Sequence, residues 1–593
     1  MRSLALFLAL AVSLIASDLS GGAERADVGK ETSNDPRNIQ SGWVIPDEGY
    51  SDQTYVVITD DGNWLCVLTT GPGKEGDPRQ HVAATISKDK GKTWSDLIPI
   101  EPQGPPEASW VMPLKVPGGR VYAFYDYNGD NVRQLDGKTI RADMLGQYVF
   151  KYSDDNGRTW SARRYRLPVR MTAIDRANDF QGRVQMFWGV GKPVVIGPSA
   201  YFGFSKIGKW LVSRSEGFFF RSRNILTEKD PEKIEWEMLP DGEVGLQAPV
   251  GVIAEENNLV GLSDGSLYSV FRTVDGSLGL AVSRDEGRTW TSRQYATYSP
   301  GGRLIKNPRS PAFVRKFRNG KYLLLFHNHG GRDFAGRNPY WLSGGAEKDG
   351  AIFWSQPDIC LYDDEPGTRI GYPDFIEDGG EFYVTETQKS VAHVHRLDRA
   401  MLENLWRQSE LKEIARRGLV LSLEPRGREQ AEAASPVLPD LSRGGGFAFD
   451  LWVKFADLAA GQTIFDTRDK TGKGLALVTT SSGTLQIEMN DGTIADRWDC
   501  DAGLLKTNQW HQVAVVVDGG PKIVTFIVDG QLCDGGPARR QGWHRFNRQL
   551  ADVSSSVRLR IGSSFKGEVK VLHFYDRYLT TSECVGNYRA GLQ

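Results

Sequence analysis

Short apolar runs separated by tight turns recur along most of this chain. Four of them are YVVITDDGNWLCVLTT (55–70), NNLVGLSDGSLYSVFRT (257–273), AFVRKFRNGKYLLLFHN (312–328) and PDFIEDGGEFYVTET (373–387). In each, two runs rich in β-branched and aromatic residues flank an Asp-Gly or Asn-Gly pair, the sequence typical of a β-hairpin. The pattern therefore predicts an all-β protein built from antiparallel hairpins.

An eight-residue motif repeats three times between the hairpins. It reads SKDKGKTW at 87–94, SDDNGRTW at 153–160 and SRDEGRTW at 283–290. The Asp can cap backbone N–H groups of a tight turn, the Gly supplies a positive φ, and the Trp can pack beneath the turn. The tryptophans at the end of the motif continue as a series of six: Trp94, Trp160, Trp236, Trp290, Trp354 and Trp406. Six such positions predict six repeated units.

The motif resembles the Asp-box of the sialidase superfamily, in which it forms the turn between the outer strands of a propeller blade. The resemblance implies a six-bladed β-propeller over residues 42–408, with Asp89, Asp155 and Asp285 on outer turns and not at a catalytic centre.

The pattern changes after Trp406. Residues 409–445 are rich in charged residues, Pro and Gly and are expected to form a linker. Residues 446–593 contain another series of strands, with Trp510-His511 and Val528-Asp529-Gly530 among them. This order resembles the laminin-G/concanavalin-like fold, which implies a C-terminal β-sandwich of jelly-roll type.

Length and charge agree with this division. A chain of 593 residues is too long for one hydrophobic core, so at least two domains are expected. The 72 basic and 74 acidic side chains leave a formal net charge of −2, which gives no basic surface for nucleic acid. We expect a monomer without a transmembrane segment.

The N-terminus predicts export. Arg2 is followed by an apolar run from Leu4 to Ile15 and then by small residues, the composition of a secretory signal peptide. We expect residues 1–23 to be the signal peptide with its cleavage region, and the protein to be secreted or periplasmic.

The resemblance to sialidases also implies an active site. In that family a glutamate activates a tyrosine nucleophile, an aspartate serves as acid/base, and three arginines hold the substrate carboxylate. Glu256 matches the glutamate, Arg272 and Arg337 match two of the arginines, and Tyr372 matches the tyrosine. A glutamate beside a tyrosine can accept the phenolic proton and so make a weak nucleophile reactive.

Two positions depart from the family pattern. Asp52 and Gln53 stand where the first arginine is expected, and His81 stands where the acid/base aspartate is expected. Asp374, two residues after Tyr372, is an alternative acid/base. These departures put sialidase specificity in doubt.

A second interpretation centres on His81. Some propeller lyases that act on uronate polysaccharides use a His and a Tyr as base and acid, with arginines that neutralise the carboxylate. The side chains that could serve here are His81, Tyr148, Arg170 and Arg221. His327 and His329 are candidates for lining the pocket. No Cys/His spacing resembles a zinc site, and no metal or cofactor is predicted.

We therefore expect a sialidase-like exo-glycosidase that acts on an acidic oligo- or polysaccharide. The alternatives are a uronate-directed lyase on the same propeller and a non-catalytic, glycan-binding propeller.

Overall fold

The computed structural model describes residues 35–209, 214–291, 293–425 and 431–592. The predicted signal peptide, residues 1–23, lies outside the described residues. Strands account for 42% of the structure and helices for 6%, so the prediction of an all-β protein is confirmed.

Six antiparallel sheets of four or five strands occupy the described residues from 43 to 396. In chain order, the strands of the first three sheets are Tyr50–Ile58, Trp64–Gly71, His81–Ser87 and Ile98–Pro99; Ala108–Lys115, Val121–Tyr127, Gln147–Ser153 and Tyr165–Arg166; and Phe187–Trp188, Val194–Ile196, Ser199–Lys209, Arg214–Ser222 and Glu237–Leu239. Those of the fourth and fifth sheets are Glu255–Gly261, Leu267–Arg272, Gly279–Ser283 and Gln294–Tyr295; and Phe313–Lys316, Tyr322–Phe326, Tyr340–Lys348, Ala351–Trp354 and Asp358–Leu361. The sixth sheet consists of Gly371–Asp378, Glu381–Thr387, Ala392–Arg396 and the N-terminal strand Trp43–Ile45.

The central strand Trp64–Gly71 begins with a continuous apolar run because both of its faces are buried. On the strand Trp64–Gly71, Leu65 and Val67 pack into one hydrophobic cluster, whereas Trp64 and Cys66 pack into another on the opposite face. Successive side chains of a strand point to opposite faces, so each sheet packs against a neighbour on either side.

The sheets surround a common centre. The first strands of the sixth, first and second sheets contact one another in turn, and so do those of the fourth, fifth and sixth. A cavity of about 700 Å³ is lined by one segment from each of the six sheets: 56–58, 113–115, 192–197, 260–262, 315–318 and 375–377. The N-terminal strand Trp43–Ile45 pairs with Ala392–Arg396, which joins the two ends of this region.

The repeated motif forms the same turn three times, after the third strand of the first, second and fourth sheets. In the copy at 283–290, Asp285 accepts hydrogen bonds from the backbone N–H of Thr289 (2.9 Å) and from its hydroxyl (2.6 Å). Ser283 donates to Asp285 (2.8 Å) and accepts from Gly287 N–H, and Gly287 has a φ of +91°. The same set of bonds surrounds Asp89 and Asp155. The aspartates are therefore structural, as the sequence predicts.

The tryptophan series is less regular than the sequence predicts. Trp236 precedes an outer strand and Trp354 ends one, but Trp406 lies at the end of an α-helix, Arg399–Trp406. There Trp406 packs on Phe317 and Phe382 of the fifth and sixth sheets. The fourth strand of the sixth sheet is instead the N-terminal strand Trp43–Ile45.

Helices are few in the part of the chain that the structure describes. The α-helices are Ala173–Arg176, Arg399–Trp406 and Thr581–Ala590, and the 3₁₀ helices are Ile39–Ser41, Ala142–Met144, Pro231–Lys233 and Leu441–Arg443. None of the helices built from described residues is long and apolar enough to cross a membrane.

The C-terminal region forms a sandwich of two antiparallel sheets. One contains Leu419–Leu423, Gly567–Tyr575, Phe447–Phe455, Trp510–Asp518, Ile523–Val528, Gln531–Leu532 and His544–Arg545; the other contains Ala431–Ala433, Leu559–Ile561, Thr463–Asp466, Gly474–Thr479, Leu485–Asn490 and Ala495–Asp499. Residues 409–445, which were expected to form a linker, contain two strands of the sandwich. These strands pair with residues 572–575 and 559–561.

The sandwich shares an apolar cluster with the fourth and fifth sheets. One hydrophobic cluster contains Tyr322 and Trp341 from the N-terminal region together with Val516, Trp543 and Tyr575 from the sandwich. The two regions therefore share part of their core.

Candidate active site

A cavity of about 160 Å³ lies near the starts of the first strands. It combines a carboxylate pair, six basic side chains and several aromatic rings. The lining residues are Glu75, Trp110, Arg141, Met144, Trp188, Val190, Glu256, Arg272, Arg309, Phe334, Arg337, Arg369, Tyr372 and Lys389.

A repeated β-bulge directs three of these side chains. In the fourth sheet the register passes from Glu255↔Arg272 to Asn258↔Val270, so two residues oppose one. The sixth, second and first sheets have the same irregularity, and the first residue of each bulge has a positive φ: Gln53 (54°), Trp110 (62°), Glu256 (54°) and Tyr372 (49°). Bulges re-aim side chains and are frequent beside active sites. The strained backbone at Trp110, Glu256 and Tyr372 thus turns these residues toward one cavity.

Tyr372 and Glu256 are in hydrogen-bond contact. The Tyr372 hydroxyl donates to Glu256 Oε1 at 3.1 Å. The same oxygen lies 2.9 Å from Arg272 Nη1, and Glu256 Oε2 is buried without a hydrogen-bond partner among the described residues. The three side chains form a buried Arg–Glu–Tyr chain.

Burial raises the pKa values of Glu256 and Tyr372. Burial raises the pKa of Glu256, and the positive charge of Arg272 opposes that rise. Burial also raises the pKa of Tyr372, the carboxylate of Glu256 adds to the rise, and Lys389 and Arg272 oppose it. At neutral pH the tyrosine therefore keeps its proton, and Glu256 is the group beside it that can accept that proton.

A second buried carboxylate fixes two of the arginines. Glu255 Oε2 accepts two bonds from Arg272 (2.9 and 2.5 Å), and its Oε1 accepts a bond from Arg309 (2.9 Å). Arg337 donates to the backbone carbonyl of Arg309 at 3.1 Å. The ring of Phe334 covers the group, with the guanidinium carbons of Arg309 and Arg337 at 4.6 and 5.8 Å from its centroid.

Lys389 and Glu75 close the opposite side of the cavity. The Lys389 ammonium pairs with the carboxylate of Asp52, lies 3.6 Å from Glu75 Oε2, and lies 4.1 Å from the centre of the Tyr372 ring. Arg141 donates to Glu75 at 2.7 Å. Burial raises the pKa of Glu75, but Lys389 and Arg141 outweigh it and hold the pKa at about 2. Glu75 is therefore ionised.

Four residues singled out in the sequence meet here. Glu256, Arg272, Arg337 and Tyr372 all line the cavity, as their positions predict. Where the first arginine was expected, Asp52 is paired with Lys389, and Gln53 donates to the carbonyl of Gly189 at 3.1 Å. The cation at this edge comes from Lys389, more than 300 residues away in sequence.

The two predicted acid/base residues lie outside the lining. His81 is buried, with Nδ1 2.8 Å from the carbonyl of Glu101 and Nε2 3.0 Å from the carboxylate of Glu48. Asp374 accepts from Val56 N–H (2.8 Å) and from the Lys192 ammonium (2.7 Å). Both residues therefore have structural partners.

Three other candidates also have partners away from the cavity. Arg170 donates to the carbonyls of Pro240 and Gly242, both at 2.8 Å. Arg221 is fully buried and joins Glu237 and Glu286 of neighbouring segments. Tyr148 is buried among Phe187, Phe202, Phe204 and Phe220. These contacts assign the three side chains to packing and inter-sheet pairing.

His327 and His329 lie behind the arginine side of the cavity. His327 stacks on Tyr340 with ring centroids 4.3 Å apart, and burial lowers its pKa well below the usual value. Burial lowers the pKa of His329 to about 4. The Nδ1 of His329 accepts from Arg540 of the sandwich at 3.1 Å, and the backbone carbonyl of Arg540 accepts from Gly330 N–H at 2.7 Å. The sandwich thus holds the segment 328–337, which carries Phe334 and Arg337.

Sequence reasoning missed five of the eight charged side chains that line the cavity. The missed charged side chains are Glu75, Arg141, Arg309, Arg369 and Lys389. Arg369 lies three residues before Tyr372 and could have been suspected from that proximity. The others stand in loops or after strands, where the sequence carries no motif that distinguishes them from solvated surface residues.

Several solved structures are similar to this chain. Trypanosoma rangeli sialidase in complex with sialic acid is 14% identical over 96% of this chain and 98% of its own, with a TM-score of 0.44. A Hadza microbial sialidase is 17% identical, with 59% and 66% covered and a TM-score of 0.42. A Dyadobacter fermentans protein of unknown function is 15% identical, with 60% and 98% covered and a TM-score of 0.44. No curated protein sequence matches this chain.

Family profiles match two separate regions. Residues 108–384 match the BNR repeat-like domain, and residues 427–584 match the Concanavalin A-like lectin/glucanases superfamily. The chain is therefore similar to BNR repeat-like proteins over its N-terminal sheets and to concanavalin A-like proteins over its C-terminal sandwich.

Proposed function

We propose that this protein is an exported, sialidase-like exo-glycosidase that acts on an acidic glycan. One observation carries the proposal: the Tyr372 hydroxyl donates to Glu256 at 3.1 Å in a cavity that five arginines also line. A tyrosine beside a carboxylate base can act as a nucleophile once the base accepts its proton. A group of guanidiniums can bind a substrate carboxylate through charge-assisted hydrogen bonds. The signal-like N-terminus supports export.

The architecture proposed with it is a six-bladed propeller. Each of the six sheets supplies one segment to the central cavity of about 700 Å³, which supports an arrangement of the sheets as blades around one axis. The cavity that contains Tyr372 then opens near the other end of the first strands.

The first chemical step would be attack by tyrosine. The Tyr372 oxygen forms a bond to the anomeric carbon, the bond from that carbon to the leaving oxygen breaks, and Glu256 takes the phenolic proton. Arg272, held by Glu255 and Glu256, would keep the carboxylate base in place. Water would then attack the anomeric carbon, the bond from that carbon to the Tyr372 oxygen would break, and Glu256 would return the phenolic proton to Tyr372.

Glu75 is the other carboxylate of the lining, and its ionised state suits one role best. With a pKa of about 2 it cannot protonate a leaving group at neutral pH, but it can accept a proton from the water that attacks in the second step. The rate at which the leaving group departs would then depend on the pKa of its own hydroxyl group.

A glycan-binding role without turnover is the second candidate. This role is favoured because His81 and Asp374 lie outside the cavity lining, where they contact Glu48 and Lys192. Neither side chain is then placed to protonate the leaving group. The lyase interpretation loses support for the same reason, since it requires His81 as base.

Hydrolysis of aryl glycosides tests the proposal. Aryl glycosides of sialic and uronic acids are incubated with the full chain, and both the released phenol and the absorbance of an unsaturated sugar are followed. We expect phenol release from a carboxylated sugar without an unsaturated product. Tyr372→Phe should lower turnover at least about 100-fold, because the nucleophile is removed while the ring still fills its site.

Tyr268→Phe is the matched control. Tyr268 is buried in the fourth sheet, outside the lining, with its oxygen 3.4 Å from Trp354 Nε1, so this variant should keep full activity. Saturable binding of a carboxylated sugar with no turnover by the wild-type chain would support the binding role instead. Full activity in Tyr372→Phe would overturn the assignment of the nucleophile.

A further inference from the structure

A buried Glu–His–His cluster lies on the sixth sheet. Glu386 belongs to the strand Glu381–Thr387, and His393 and His395 belong to the adjacent strand Ala392–Arg396. Glu386 is directly opposite His393 in the register, and His395 is two residues further along the same strand. Because side chains two apart share a face, the three groups point to the same side of the sheet.

The three side chains have the spacing of a metal-ligand set. Glu386 Oε1 lies 2.7 Å from His393 Nδ1 and 3.7 Å from His395 Nε2. One ligand atom from each residue falls within 4.8 Å of the others. A carboxylate with two imidazoles is a set that Zn²⁺ and related divalent ions bind in proteins.

Two atoms of the cluster lack hydrogen-bond partners. Glu386 Oε2 and His395 Nε2 are buried and make no hydrogen bond to any described residue. All three residues are at least 95% buried. Buried polar atoms are nearly always paired, because an unpaired one loses its bonds to water without replacement. A cation between the three ligands would satisfy both atoms.

The cluster borders a cavity. His395 also lines a cavity of about 140 Å³ between the fifth and sixth sheets, the sandwich and the segment Asp35–Arg37. On the other side, the backbone of Gly42 approaches so closely that a Cβ there would lie 2.4 Å from His395 Cε1. His395 is thus confined by the backbone of Gly42 and also borders this cavity.

We propose that Glu386, His393 and His395 bind a divalent transition-metal ion, with Zn²⁺ as the best-suited ion and water completing its coordination. The site is separate from the cavity of Tyr372, since none of its residues lines that cavity. It would fasten the last two strands of the sixth sheet beside the N-terminal strand Trp43–Ile45 and so stabilise the joined ends of the propeller.

Zinc content and thermal stability test the site. The untagged full chain is stripped with EDTA, dialysed against Zn²⁺ and then against metal-free buffer, and analysed by mass spectrometry for zinc. We expect one equivalent of zinc and a melting temperature that rises on zinc addition, because an ion that binds only the folded state stabilises it. His395→Gln and Glu386→Gln, checked for folding by circular dichroism, should lose both effects.

His544→Gln is the matched control. His544 pairs with Asp496 in the sandwich at 2.8 Å and should not affect zinc content. Retention of the zinc equivalent in a folded His395→Gln variant, or a wild-type chain that neither retains zinc nor melts at a higher temperature with it, would overturn the proposal. The zinc content and melting temperature of the wild-type chain test the proposal even if a variant misfolds.

Discussion

At the scale of single residues, the arginines of the cavity differ in how far they are already engaged. Arg272 and Arg309 pair with Glu255, and Arg141 pairs with Glu75 and Asp143. Arg337 reaches only a backbone carbonyl, and its Nε is buried without a partner. Arg369 makes no ion pair with any described residue, and burial together with the nearby charge of Arg337 lowers its pKa. An anion between Arg337 and Arg369 would relieve their repulsion.

Substitution of these two arginines by lysine should weaken binding more than chemistry. In Arg337→Lys and Arg369→Lys the charge remains, but the paired donors that match a carboxylate are lost. We expect KM, or the Kd of a carboxylated sugar, to rise about tenfold or more while kcat changes little, since charge-assisted hydrogen bonds contribute about 1.5–3 kcal/mol. Steady-state kinetics or calorimetric titration would measure the change.

Arg223→Lys serves as the control for these variants. Arg223 is exposed and pairs with Glu286 at 2.5 Å on the third sheet, so its substitution should leave KM unchanged. An equal effect on carboxylated and neutral sugars in Arg337→Lys would contradict the role in carboxylate recognition.

At the scale of elements, the repeated turn stabilises the fold through hydrogen bonds within the motif. Removal of Asp285 in Asp285→Ala leaves the N–H and hydroxyl of Thr289 without their acceptor. We expect a loss of about 1–2 kcal/mol in the free energy of unfolding, similar to the loss of a helix cap, with unchanged activity. Denaturant unfolding and glycosidase assays would measure the two quantities.

Asp241→Ala is the matched control for the turn variant. Asp241 forms an exposed ion pair with Arg288 at 2.8 Å, and such pairs contribute less than about 1 kcal/mol. Loss of activity without loss of stability in Asp285→Ala would show that the turn has a role in the site itself.

The elements also show what the sequence can and cannot predict. The hairpins and the Asp-box turns follow from local residues, so the class of fold could be predicted, whereas Glu256 and Tyr372 were found through the resemblance to sialidases. The bulges that orient these two side chains depend on the register between paired strands. A bulge of this kind cannot be predicted from any single residue. Glu75 and Lys389 reach the cavity only through loops, and their roles depend on Asp52 and Arg141 as partners. The position of His81 relative to the first turn does not reveal its contacts with Glu48 and Glu101.

At the scale of the whole molecule, the sandwich takes part in forming the site. Trp543 donates to the carbonyl of Asn328 at 3.0 Å, and Arg540 contacts His329 and the backbone of Gly330. Phe334 and Arg337 follow in the same segment. A boundary that is visible in the sequence near residue 409 therefore does not separate two independent functions.

Arg540→Ala should weaken substrate binding from outside the cavity. The loss of its bond to His329 frees the segment of Phe334 and Arg337, so we expect KM to rise several-fold with little change in melting temperature. Arg558→Ala, which removes an exposed ion pair with Glu432 elsewhere on the sandwich, should change neither quantity. Unaltered KM in Arg540→Ala would mean that the shared apolar interface alone fixes the segment.

The pairing of the strand Trp43–Ile45 with Ala392–Arg396 has a consequence for biosynthesis. The N-terminal strand is made first but finds its partner only after about 350 further residues have been synthesised. Contacts so distant in sequence form late, because the chain must first pay the entropy of closing a very long loop. Until then the sixth sheet has an unpaired edge that can join other chains. Nascent or truncated chains that end before residue 396 should therefore depend on chaperones.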